Sequence, residues 1–192
     1  MVELGLHRRH IRIGVPPMSG TFAFNHLYFA YRRKYPGDRI EIIESCSSRN
    51  LLAVAEESMD VAVATSRIIR NEQLNVFPLK KIRVMFCVSP GHRLAREQEI
   101  TFDMLQDEPI IFFRKGSRHN DLIEKCFAEE GIEPNVVLYS SQIHTIREFI
   151  SRGDVGAFVF DGMVDLFDDI VKIPVAGLPI QTVDLVWKKE QY

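Results

Sequence analysis

The chain has 192 residues, 46% of them apolar and 26% charged, which excludes disordered, collagen-like and coiled-coil classes and suffices for a core without disulfide or metal staples. Its 24 Lys plus Arg against 26 Asp plus Glu leave a net charge of -2. Modules that live on phosphate backbones are strongly basic, so this balance argues against nucleic acid as a direct partner.

The run 12–15 reads as a strand entering Pro16-Pro17-Met18-Ser19-Gly20-Thr21, a loop by its prolines and glycine. Phe24, Leu27, Tyr28 and Tyr31 at i, i+3, i+4 and i+7 predict a helix over 22–34, with Ser19 or Thr21 to cap it and Pro36-Gly37 to stop it. Phe29 and Tyr35 lie beyond its main apolar face. A strand over 39–43 follows. Ser45-Cys46-Ser47-Ser48 then offers hydroxyl caps to a helix with Leu51, Leu52, Ala55 and Met59 inward, and 60–64 is an apolar run of the buried parallel kind. Together these make a βαβαβ unit.

The run 82–88 is a further strand, Ser89-Pro90-Gly91-His92 a turn and 101–105 a short capped helix. The first pattern then returns. Strand 109–113 leads through Arg114-Lys115-Gly116-Ser117 to a helix over 120–130 with Leu122, Ile123, Cys126 and Phe127 inward and Gly131 as its stop. Strand 135–139, the cap Ser140-Ser141, a helix over 143–151 with Ile143, Ile146, Phe149 and Ile150 inward, and strand 155–160 complete a second βαβαβ unit. The strands begin near 12, 39 and 60, then near 109, 135 and 155, steps of 27 and 21 against 26 and 20. Two similar open sheets predict two similar lobes with a cleft between them. Strands over 170–173 and 182–187 end the chain.

Cys46, Cys87 and Cys126 carry no C-x-x-C spacing, so neither a zinc ribbon nor a disulfide framework is signalled, and all three are expected reduced and buried. The first ten residues hold no signal-peptide core, and no run approaches the ~18 apolar residues of a membrane helix, so a cytoplasmic protein outside the membrane is expected. Neither G-x-G-x-x-G, Walker A, G-x-S-x-G nor H-E-x-x-H occurs, and no catalytic residue is assigned. His7 and His10 read as a basic terminal stretch, His26 and His144 as structural or surface histidines, and Asp161, Asp165, Asp168 and Asp169 as a solvated acidic face without calcium-loop spacing. No metal site and no cofactor is expected.

What stands out is a set of strand-to-helix loops rich in hydroxyls and small residues: Met18-Ser19-Gly20-Thr21, Ser45-Cys46-Ser47-Ser48, Ser117 and Ser140-Ser141-Gln142. In open parallel sheets such loops lie at the carboxyl ends of the strands, where ligands bind. Unpaired N–H groups and the helix dipole suit a carboxylate there, and Arg114 and Lys115 add positive charge. Each serine is equally an ordinary helix cap.

Ile11-Arg12-Ile13-Gly14 with the Pro-Pro-Met-Ser-Gly loop, Phe29-Ala30-Tyr31-Arg32-Arg33-Lys34-Tyr35-Pro36-Gly37 running into Ile40-Glu41-Ile42, and Asp60-Val61-Ala62-Val63 resemble the effector-binding domain of LysR-type transcriptional regulators. So do Val88-Ser89-Pro90-Gly91-His92-Arg93-Leu94, Ile100-Thr101-Phe102-Asp103-Met104-Leu105 and Thr145-Ile146-Arg147 leading to Gly153-Asp154-Val155-Gly156. The resemblance runs from Ile11 to Trp187.

It implies an α/β fold like the type 2 periplasmic binding proteins, two lobes joined by two crossover strands, with lobe one over 11–86 plus 161–192 and lobe two over 87–160. It further implies a small, anionic effector in the cleft, held by Met18, Ser19, Ser47, Thr65, Phe113, Arg114 and Ser140. Met18 stands where many relatives carry a hydroxyl residue, and Asp161 where a proline is common. Relatives pair these domains side by side and antiparallel, so a homodimer or tetramer is implied. The family's winged helix-turn-helix is not found before Ile11, so DNA contact and transcriptional control are expected only through an N-terminal domain outside this sequence. A ligand-sensing, non-enzymatic domain is the reading that follows. Two others share the scaffold: an exported solute-binding protein, which a signal peptide would accompany, and an enzyme such as a prephenate dehydratase or a tetrapyrrole-assembling deaminase, which needs a catalytic constellation.

Overall fold

The computed structural model describes residues 9–17, 24–66, 71–114, 117–164 and 167–189. In chain order they form β1 (His10–Val15), α1 (Asn25–Lys34), β2 (Arg39–Glu44), α2 (Ser47–Ala55), β3 (Val61–Ser66), β4 (Leu74–Ile82), β5 (Val84–Val88), β6 (Ile110–Phe112), α3 (Arg118–Glu129), β7 (Val136–Tyr139), α4 (Ile143–Arg152), β8 (Gly156–Phe160), α5 (Asp161–Val164), β9 (Val171–Pro174) and β10 (Gln181–Lys188). A single 3-10 turn, Asp103–Leu105, stands where a short helix was expected. The proposed caps Ser19 and Thr21 of the first helix lie outside the described residues.

The chain divides into two compact units, Met1–Lys81 with Thr182–Tyr192, and Ile82–Gln181. Each holds one five-stranded sheet, in the orders β2-β1-β3-β10-β4 and β7-β6-β8-β5-β9. Both follow one plan. The three strands of a βαβαβ unit run parallel with the first in the middle, and an antiparallel strand from elsewhere in the chain joins the third: β10 on β3, and β5 on β8. The matched spacing of the two halves is thus a matched topology.

The division differs from the lobes drawn at 86/87 and 160/161, because β5 pairs with β8 from Val84 to Cys87 and with β9 from Met85 to Val88. Backbone pairing along the whole of β5 carries 82–86 and 161–181 into the second unit. The strand β4, unassigned from the sequence, lies at an edge, where Pro78 can lack an N–H without breaking a central ladder.

The inward faces of two helices also differ. On α2 the buried residues are Ser47, Asn50 and Val54, which places Leu52, 57% exposed, across the helix axis from them. On α4, Ile146 and Ile150 are buried while Phe149 turns outward. In each case an i, i+4 pair defines the stripe, and a large apolar residue off that stripe is left in solvent. α1 buries none of its own residues, and Phe29 is 63% exposed as its position predicts.

The first core packs α2 on the sheet through Val54, Met59, Ala62, Ala64, Leu74 and Val186. Gly14 permits this: a Cβ there would come 2.2 Å from Met59 Sδ and 2.9 Å from Asn50 Oδ1. The second core is aromatic, with Phe86 and Phe158 ring centres 5.2 Å apart and Phe102 and Phe127 4.8 Å apart. Gly131, at φ 71°, closes α3 with its N–H on Ala128 O and the next N–H on Phe127 O.

Charged groups pin the elements. Arg12 grips Asp60 through Nε and Nη2 and holds its carboxyl below the usual range, and Arg147 grips Asp169 at 2.9 and 3.1 Å. Asp161 lies 4.0 Å from Arg83 and accepts the Gly162 N–H, so the acidic stretch is not simply a solvated face. His92 and Glu108 form a buried 3.0 Å pair that Arg93 completes. Of the cysteines, none of them in a disulfide, only Cys87 is buried, which pushes its thiol up; Cys46 and Cys126 are half-buried, against expectation.

Candidate functional site

In the first unit the parallel strands β1 and β2 end level, Val15 beside Glu44, and β3 runs on to Ser66. Ser45 N–H donates to Val15 O at 3.4 Å, drawing the β2–α2 loop over the end of β1. Cys46 is the N-cap residue of α2, with extended backbone and no side-chain cap. Ser47, expected as a cap, instead turns its hydroxyl inward to accept the Thr65 N–H at 3.0 Å, tying the start of α2 to the end of β3. Ser47 is buried, and Thr65 Oγ1 is buried without a partner. Cys46 Sγ and Ser48 Oγ lie 3.3 Å apart on the same turn. Ser47 and Thr65 are therefore brought together, while Met18 and Ser19 lie outside the described residues.

In the second unit β6 and β7 end level, Phe112 beside Tyr139, and β8 runs on to Phe160. Ser140 N–H donates to Phe112 O at 3.0 Å, so the loops after β6 and β7 lie side by side. The Ser140 hydroxyl accepts the Gln142 N–H at 3.2 Å; the N-cap of α4 is Gln142 itself, without a side-chain cap bond. Ser117 does cap α3, accepting the Asn120 N–H at 3.2 Å. Arg114 is exposed with no carboxylate partner among the described residues, and Phe113 is buried with its ring edge-on to His119.

Three buried residues here escaped the sequence reading: Asn50, Asn120 and His119. Asn50 Nδ2 donates to Ser45 O at 3.1 Å, and Asn120 Nδ2 to Phe113 O at 2.6 Å and Arg114 O at 3.3 Å. Both leave Oδ1 buried and unpartnered. His119 lies between Phe113 and Phe160, with one ring nitrogen 2.9 Å from Phe158 O, and burial lowers its pKa to about 4. The available signal was a polar residue on an apolar stripe, Asn50 four before Val54 and Asn120 three before Ile123. Among the described residues no cluster of three or more potential ligands could hold a metal ion, and no helix is long and apolar enough to cross a membrane.

Chemically, each unit presents helix N-termini and hydroxyls at one end of its parallel strands, and the second adds the Arg114 guanidinium. Groups of this kind suit anions and hydroxyl-bearing molecules.

Comparison with known proteins places these features. The family model for the LysR substrate binding domain matches residues 4–192. The HTH-type transcriptional regulator YwbI of Bacillus subtilis is 30% identical over 189 residues, which is 95% of this chain and 62% of that protein. The chain thus spans less than two thirds of the relative it matches. Among solved structures, the cofactor-binding domain of the Cbl transcriptional regulator superposes with a TM-score of 0.83 at 19% identity, covering 97% of this chain and 83% of that one. The effector binding domain of QuiR, solved in complex with shikimate, gives 0.79 at 18% identity, covering 96% and 90%. These likenesses show the shared two-unit fold.

Proposed function

The chain belongs to the LysR substrate-binding domain family, and from that membership we propose that it is the ligand-sensing part of a cytoplasmic transcriptional regulator, binding a small carboxylate and performing no catalysis. The candidate ligand groups are Ser47 and Thr65 in the first unit and Phe113, Arg114 and Ser140 in the second, together with Met18 and Ser19, which lie outside the described residues. The observation that carries this reading is the repeated plan: in both sheets the polar strand-to-helix loops sit at the carboxyl ends of the parallel strands. Ligand binding that favours one state of this chain over another is the bias that a DNA-binding segment of the full protein reads. Shikimate, a hydroxylated carboxylate bound by a protein of this fold, fits the same donor chemistry.

A second copy of the chain is the proposed partner. Phe29 and Ile42 of the first unit, and Val137 and Phe149 of the second, are large apolar side chains left in solvent on α1, β2, β7 and α4.

Calorimetric titration with shikimate and a panel of other carboxylates tests the site. Wild-type protein should bind at least one, and Arg114→Ala should weaken that binding about tenfold or more, as loss of a charge-assisted pair does. Binding that Arg114→Ala leaves unchanged would place the ligand elsewhere.

A further inference from the structure

Two of the loops that carry candidate ligand groups are each tied down from inside by an asparagine of the helix that follows. Asn50, 0% exposed, sends Nδ2 to Ser45 O, and Asn120, 2% exposed, sends Nδ2 to Phe113 O and Arg114 O. We propose that Asn50 and Asn120 are positioning residues, which set the backbone at Ser45 and at Phe113–Arg114 and so the placement of Ser47 and Arg114 for a ligand. The inference rests on the ligand site proposed above and adds to it two residues that touch no ligand.

Three observations carry it. First, an asparagine is poor value as mere core filler, since each leaves a buried acceptor, Oδ1, with no donor. A leucine of similar size would remove that cost. Second, the donors reach carbonyls of the loop and not of the helix itself, so what they fix is the loop. Third, the rest of the structure makes room for the arrangement. Gly14 on β1 lacks the Cβ that would come 2.9 Å from Asn50 Oδ1, and Ser117 engages the backbone N–H of Asn120 while its own N–H bonds Arg114 O, the carbonyl Asn120 also holds.

The test needs no ligand. Amide hydrogen exchange is measured for Ser45, whose N–H is bonded to Val15 O, and Ser117, bonded to Arg114 O, in wild type, Asn50→Leu and Asn120→Leu. Exchange at Ser45 should quicken in Asn50→Leu by about three- to tenfold, the net worth of one hydrogen bond, and at Ser117 in Asn120→Leu by at least as much, since two bonds are lost there. Control amides at Val63 in β3 and Phe86 in β5, and the melting temperature, should stay near wild type or rise. If loop and control amides quicken together with a falling melting temperature, the asparagines are structural only and the proposal fails. It fails equally if Ser45 and Ser117 exchange as before. Either result leaves the carboxylate titration of Arg114→Ala to judge the ligand site independently.

Discussion

Replacing His119 by phenylalanine should flatten the loss of stability that acidification causes in the second unit. The ring is shut away from water between Phe113 and Phe160, centroids 5.3 and 4.8 Å distant, and burial lowers its pKa from 6.5 to about 4. Between those values the unfolded chain takes up a proton that the folded one refuses. The stability is therefore fully present above the unfolded pKa and is lost as pH falls toward the folded one. At 1.36 kcal/mol per unit the ceiling is about 3 kcal/mol, and near pH 5 about 2 kcal/mol should be gone, or roughly 4–8 °C in melting temperature for a chain of this size. Asp60, held low by Arg12, gives up its contribution only below the usual carboxylate range, outside this window. His119→Phe keeps an aromatic ring in the slot but abandons Phe158 O, so it should start about 1–2 kcal/mol less stable at neutral pH and then lose little more on acidification. Urea unfolding followed by far-ultraviolet circular dichroism is the assay, because the single tryptophan, Trp187, lies in the first unit. Equal pH slopes in wild type and variant would refute the reasoning.

Ser47→Ala strands the Thr65 N–H and should cost about 1–3 kcal/mol, seen by calorimetry as a melting point roughly 2–10 °C lower; an unchanged melting point would show the 3.0 Å bond to be unimportant. Gly14→Ala drives a methyl into Met59 and Asn50 and should lower the urea midpoint by the equivalent of about 1–3 kcal/mol, whereas a silent substitution would contradict the close approach. Sedimentation at tens of micromolar should reveal self-association that Phe29→Ser and Phe149→Ser weaken; a strict monomer in wild type would remove those faces from the interface.

The elements of both βαβαβ units were legible because their strands are short alternating or apolar runs set off by proline, glycine and serine, and because the same spacing occurs twice. The helix stop at Gly131 was readable for the same local reason. Less legible was what depends on long-range pairing. That β5 and β9 belong to one sheet is decided by a ladder between residues 83 to 89 apart in the chain, and no local pattern reports it. The candidate site was half visible. Hydroxyl-rich strand-to-helix loops mark Ser47 and Ser140 while Thr65 rests on the family resemblance alone, and a serine beside a helix start suggests a cap where Ser47 holds a neighbouring strand. Asn50 and Asn120 were passed over because the inward stripe was drawn through apolar residues alone, and a polar residue becomes intelligible there only when the loop carbonyl it reaches is in view.

Native mass spectrometry of the purified protein, with thermal stability measured across a panel of anionic and neutral metabolites, bears most directly on the claim that the chain senses a small carboxylate. The account predicts either a small acidic molecule retained on the folded protein or a carboxylate that raises the melting temperature, with the effect lost in Arg114→Ala. The bare polypeptide mass, together with no stabilisation by any carboxylate of the panel, would contradict it.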